Sequence, residues 1–276
     1  MKILAIDCGN TRIKWGLWDG AAWLRVGAMT HDELGDARSG IAPAFASLPP
    51  PAHIAIANVA GEGVRATVER ALASINAPIM WARSTERQCG VINRYGAPAT
   101  LGVDRWAALI GARHVQPGAC IVVGAGTATT IDLLSASGEF RGGVILPGLD
   151  LMKRSLAEHT ARLPLADGAY ADEPRSTEDA IESGALHAQA GAIERILARM
   201  KEEAEAGPSD SGELFGSHEL PPLELEIEQA SAGVSEPPAV TEPAFSPAQP
   251  PWFVPLAGIA AVLIGLVGLW LTVSPP

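Results

Sequence analysis

Asp7, Cys8, Gly9, Asn10, Thr11, Arg12, Ile13 and Lys14 bring together residue types that handle a phosphate. They interrupt an apolar run at residues 3–6 and are followed at once by another at 15–18. The pattern is therefore strand, tight turn, strand. Gly9 permits backbone geometry that a side chain hinders, and Asn10 and Thr11 supply short polar groups and free N–H donors that suit an anion. Asp7 at the strand end is placed to hold a hydrated cation, and Lys14 to meet a phosphate as a point charge. The same eight residues also serve as a plain hairpin, with Asp and Gly present for turn chemistry alone.

Three further groups carry candidate chemistry. Gly102, Val103, Asp104 and Arg105 open a helix whose Trp106, Leu109, Ile110 and Arg113 recur every three or four residues. A carboxylate in a first turn is favoured by the helix dipole whatever its function. Functionally, Asp104 is placed to accept a proton from a substrate hydroxyl, with Arg105 beside it to grip an anion. Gly124, Ala125, Gly126, Thr127 and Ala128 form a second strand-turn-strand unit, with Gly126 laid under Gly9 at an offset of 117 and Gly124 under Asp7. Two such units this far apart indicate duplication rather than a short repeat. A dinucleotide fold needs a helix after its glycine turn, whereas residues 129–134 are β-branched and strand-like. Ser176 and Thr177 precede Glu178 and Asp179, a helix-start signature in which Thr177 serves as the cap, with a substrate contact possible beside it.

The elements that must position these residues alternate. Strands are predicted at 22–29, 54–59 and 79–82, helices at 32–48 and 63–75, and a loop at 90–102 before the helix of Asp104. A strand and turn at 142–148, a helix at 149–161, a loop at 167–174 and a helix running to about residue 206 complete an α/β layout.

Composition narrows the function class. The net charge is −11, but eleven of the 31 acids and one of the 20 bases fall in residues 201–276. The first 200 residues are thus close to neutral, and no nucleic-acid partner is expected. Cys8, Cys89 and Cys120 form no CxxC pair and fit buried thiols of a reducing cytoplasm. A strand pattern from the first residues leaves no room for a cleavable signal peptide.

Residues 7–14, 102–105, 126–128 and 177–180 occur in an order and at separations that resemble the type III pantothenate kinases, some of which are called Bvg accessory factors. The likeness covers residues 1 to about 200. It implies a duplicated actin-like (ribonuclease H-like) ATPase fold, with halves at 1–118 and 119–206. It also implies ATP-dependent phosphorylation of pantothenate, the first step of coenzyme A synthesis, by a homodimer that uses Mg²⁺ and a monovalent cation, K⁺ or NH₄⁺. Carried over by position, residues 7–14 and Thr127 would bind ATP, with Asp7 holding the metal. Asp104 would be the general base. Tyr95, Gly102, Val103, Asp104, Arg105 and Thr177 would line the pantothenate site. One carboxylate taking the hydroxyl proton, with positioning and charge neutralisation supplying the rest, is what phosphoryl transfer requires.

Two departures from the family pattern follow. Its second turn usually begins with an aspartate implied in monovalent-cation binding, and Gly124 stands there, so an altered cation dependence is expected. Family members also continue past the Thr177 helix with a further strand, glycine-rich turn and closing helix, which this chain does not match, leaving the second half truncated. Instead, 207–251 is acidic with nine prolines, the composition of a disordered linker. Residues 253–273 then run 21 positions without a charge between Trp252 and the chain end, a candidate transmembrane helix and tail anchor. With no Lys or Arg flanking it, charge does not fix its orientation. A foreign tail joined by fusion or frameshift explains the same facts. The alternatives to an active pantothenate kinase are a weak or inactive, membrane-tethered regulatory relative and another small-molecule kinase of the superfamily.

Overall fold

The computed structural model describes residues 1–34, 41–46, 48–165 and 167–206. Its first sheet grows from an antiparallel meander of β1 (Ile3–Cys8), β2 (Arg12–Trp18) and β3 (Trp23–Thr30). Two short helices, α1 (His31–Leu34) and α2 (Ile41–Ala46), stand where a single helix over 32–48 is predicted. Then come β4 (His53–Asn58), α3 (Glu62–Leu72) and β5 (Ile79–Trp81). The strand order is β3-β2-β1-β4-β5, with β4 parallel to β1.

β1 is buried along its whole length because both of its faces are covered. Leu4, Ile6 and Cys8 point one way, into a core with Ile54, Ile56, Phe45, Val68 and Leu72. Full burial of each large aliphatic side chain there contributes roughly 1.5–3 kcal/mol. The two-residue period sends Ile3, Ala5 and Asp7 to the opposite face.

The predicted loop at 90–102 is in fact partly sheet. β6 (Arg87–Gln88) and β7 (Val91–Asn93) pair with each other, and a short 3₁₀ turn, Pro98–Thr100, follows. Runs of two or three residues are too short to show a period, so tertiary pairing alone makes them strands. Next come α4 (Val103–Val115), β8 (Cys120–Ala125), β9 (Ala128–Leu134) and β10 (Glu139–Pro147). The second sheet has the order β6-β7-β10-β9-β8. Its β8-β9-β10 meander repeats the topology of β1-β2-β3, and β8 is an edge strand among the described residues. α5 (Leu149–His159) and α6 (Thr177–Ala206) close the described chain and are joined by a Lys153–Glu182 ion pair of 2.8 Å.

α4 lies between the two sheets. Ala107 packs against Ile3, Ala5, Ala55 and Ala57 of the first sheet, where small side chains allow a close approach. Trp106, Leu109 and Ile110 pack with Val91, Leu134 and Phe140 of the second. Asp104 and Arg105, in its first turn, are thereby held at the junction of both sheets.

No helix among the described residues is long and apolar enough to cross a membrane. The candidate linker at 207–251 and the candidate span at 253–273 lie outside those residues.

Candidate active site

The two turns meet. Thr11 Oγ1 and Thr127 Oγ1 are 2.5 Å apart, so the β1-β2 and β8-β9 hairpins face each other. The turns are not copies. Four residues separate the paired Cys8 and Ile13, whereas three separate Ala125 and Thr129. Gly9 is needed for space rather than for a left-handed backbone, which it does not adopt. A Cβ there would stand 3.1 Å from the Arg12 carbonyl, to whose oxygen the Gly9 N–H donates at 3.1 Å. His31 supports the same turn through a 2.8 Å bond between Nε2 and the Gly9 carbonyl. Gly148 supports the other turn, since a Cβ on it would come within 2.0 Å of the Gly126 carbonyl. Neither His31 nor Gly148 belongs to the motifs that mark the turns in the sequence.

Asp7, next to last in β1, lies on the face turned toward α4 and is 6% exposed. Its Oδ1 is buried without a hydrogen-bond partner. Burial pushes the carboxyl up to about 6; Lys14, opposite it on β2, pulls down, and Asp104 pushes up. A buried, unpartnered carboxylate oxygen is costly, and a cation at this position would relieve it. Among the described residues no group of three His, Cys, Asp or Glu could hold a metal by itself. A cation held by Asp7 would take its remaining ligands from water and phosphate. Of the three thiols expected to be buried, Cys8 is buried while Cys89 and Cys120 are only partly covered; the Cys8 thiol is pushed up to about 12 by burial and by Asp7, which makes it inert.

Gly102 is the N-cap residue of α4 and makes no side-chain cap bond. The Asp104 carboxylate folds back over it, and a Cβ on Gly102 would lie 2.6 Å from Oδ1. That oxygen accepts the Arg105 N–H at 2.8 Å, so Asp104 also satisfies one first-turn donor. Its charge reaches both Asp7 and a second buried acid, Asp132.

Arg105 is buried and already engaged. Its Nε donates to both oxygens of Asp132 at 3.1 Å, Nη2 donates to Asp132 Oδ1, and Nη1 donates to Tyr95 Oη at 2.9 Å. Burial alone would lower its pKa, but the bonds to Asp132 and Tyr95 outweigh this and raise it. Tyr95 is placed by Asn93, whose Oδ1 accepts the Tyr95 N–H at 3.1 Å while its Nδ2 donates to the Pro98 carbonyl at 3.0 Å.

Thr177 comes from another element, α6. It is the first residue of α6 and is exposed, and no hydrogen bond among the described residues ties it to Tyr95 or Arg105. Nor is it the cap, because Ser176 Oγ accepts the Asp179 N–H at 3.1 Å. A hydroxyl pair at a helix start leaves the cap ambiguous by one residue, and backbone direction decides it.

Two mixed sheets with opposed hairpin turns and α4 between them form an α/β fold of the actin-like ATPase type. The chain belongs to the type III pantothenate kinase family, whose model matches residues 3–199. A type III pantothenate kinase of Aromatoleum aromaticum is 51% identical over 195 residues, covering 71% of this chain and 79% of that one. One from Dechloromonas aromatica is 50% identical over 202 residues, covering 73% and 83%. Among solved structures, a Baf family protein of Campylobacter jejuni covers 70% of this chain and 78% of its own at 22% identity, with a TM-score of 0.44. A likeness of that depth bears on neither site nor activity.

Proposed function

We propose that this protein transfers the γ-phosphoryl group of ATP to the primary hydroxyl of pantothenate, giving 4′-phosphopantothenate and ADP. The reading rests on family membership and on one observation: Asp104 is held between the Asp7 turn and the buried Arg105 cluster. In the step, Asp104 takes the hydroxyl proton as the oxygen forms its bond to the γ-phosphorus. The bond from that phosphorus to the bridging oxygen breaks, and ADP leaves with the electron pair. The two turns would receive the phosphates through backbone N–H groups and the Thr11 and Thr127 hydroxyls, with Lys14 offsetting charge. Asp7 would hold Mg²⁺, which supplies charge neutralisation at the phosphates when bound. Tyr95, residues 102–105 and Thr177 would line the pantothenate pocket.

The test is a coupled assay of ADP release with pantothenate, ATP and Mg²⁺, with the phosphorylated product identified by mass. Turnover that depends on pantothenate is expected. A folded protein that binds ATP without transfer would instead point to a weak regulatory relative, and transfer to a different hydroxyl compound to another kinase of the superfamily.

Other features of the reading have their own supports. Gly124 offers no carboxylate for a monovalent cation, so we expect its cation dependence to differ from that implied for the family. Ile145 on β10 and Leu151 and Leu156 on α5 are exposed, and α5 fully buries none of its residues, which favours a homodimer that covers α5. Light scattering coupled to size exclusion would measure this. The catalytic part would work in the cytoplasm, with 253–273 as a tail anchor; retention of the full chain in membranes after carbonate washing would support the anchor, and release would remove it.

A further inference from the structure

Asp132 on β9 belongs to none of the motifs that mark the site in the sequence, yet it is only 1% exposed and faces α4. A guanidinium has five N–H donors. Arg105 commits one from each of its three nitrogens to Asp132 and Tyr95, which leaves one hydrogen on each terminal nitrogen without a partner among the described residues. The rings of Tyr95 and Phe140 each lie 5.7 Å from the guanidinium carbon, which further restricts its movement. Gly143 pairs with Asp132 across β9 and β10. A Cβ on it would lie 2.0 Å from Asp132 Oδ1 and 2.8 Å from Arg105 Nη2, so the cradle admits only glycine.

A buried ion pair is a poor source of net stability, because desolvation consumes most of the Coulombic gain. What such a pair does supply is a fixed orientation. We infer that Asp132, seated by Gly143, is a positioning residue that locks the Arg105 guanidinium so that its two remaining N–H donors meet a substrate oxygen acceptor beside Asp104. Since Asp132 offsets the charge of Arg105, the substrate meets two oriented hydrogen bonds rather than a bare cation. This assignment rests on the pantothenate kinase reading and assigns the pair to the acceptor substrate, not the nucleotide.

Steady-state kinetics of the full chain with each substrate varied in turn provide the test. Asp132→Asn is expected to raise KM for pantothenate by about ten- to hundredfold, the worth of a hydrogen bond to a charged group, with KM for ATP within about twofold. In an Arg105→Gln background the same change should add less than about twofold, because the two residues act as one unit. Tyr95→Phe, which leaves the sheet intact, should raise KM for pantothenate by about three- to tenfold. An active wild type in which Asp132→Asn moves neither KM, or moves both equally, overturns the assignment, as do effects that multiply in the double variant. If Asp132→Asn does not fold, Tyr95→Phe decides, and an unchanged pantothenate KM overturns it. A folded wild type that neither binds pantothenate in titration calorimetry nor phosphorylates it defeats the functional reading itself, and this assignment with it.

Discussion

Thr11 and Thr127, 116 residues apart in the chain, bring their hydroxyl oxygens within 2.5 Å of each other. Both sit at exposed turn tips, so the contact fixes the opening between the two hairpins rather than the core. Thr11→Ala and Thr127→Ala should each raise KM for ATP by about three- to tenfold, the worth of a lost hydroxyl bond, and leave KM for pantothenate unchanged. Initial rates at varied ATP check this; a pantothenate effect of equal size would remove the nucleotide assignment.

Asp104→Asn should lower kcat by about 10²–10⁴-fold, the usual contribution of a general base. Asparagine can still accept the Arg105 N–H that Asp104 Oδ1 takes at 2.8 Å, so the melting temperature should hardly move. ADP-release rates with thermal melting of the same sample separate the two effects. Retained turnover would remove Asp104 as the base.

Asp7 makes stability depend on pH with a definite sign. Its folded carboxyl sits at about 6 against an ordinary 3.8, so the folded state holds the proton more tightly than the unfolded chain. The penalty is absent below about pH 4, grows between about pH 4 and 6, and is constant above. Asp7→Asn should therefore stabilise the ligand-free protein at pH 7.5, by up to about 3 kcal/mol, with no such gain at pH 4. The same variant should lose activity. Denaturant melts of both proteins across this range provide the measurement, and a destabilised Asp7→Asn at pH 7.5 would contradict it.

Gly124 bears on the cation. Rates in potassium-containing and potassium-free buffer should agree within about twofold if no carboxylate is needed here, whereas a steep potassium requirement would show that backbone carbonyls compensate. Gly124→Asp is not a simple restoration, because a Cβ at this position would lie 2.8 Å from Thr130 Oγ1. Thr130 must rotate first, and any change at Gly124 should harm activity less than loss of Asp7.

Much of this was legible in residue order. Burial on both faces makes β1 a continuous apolar run, so a polar Asp7 near its end stands out. Residues 3.6 apart mark α4, and its opening Gly102, Asp104 and Arg105 stand out in turn. Within the helix predicted over 32–48 the described residues form α1 and α2, and residues 35–40 and 47 lie outside the described part. β6 and β7 are missed because two or three residues carry no period, and the cap falls on Ser176 because a hydroxyl pair is ambiguous by one position. His31 and Gly148 give no local signal of supporting the turns, since each acts on a backbone carbonyl more than twenty residues away.

The sequence alone determined the two strand-turn-strand units, the carboxylate at the end of the first and the carboxylate opening α4, because strand and helix periods are local properties of the chain. It could name Arg105 but not its partner. Only the tertiary structure decided that Arg105 is neutralised by Asp132, 27 residues away, inside a cradle closed by Gly143. In its own strand Asp132 is one acid between Ile131 and Leu133; packing α4 between two sheets is what turns that side chain toward a guanidinium and excludes the water that would otherwise separate them.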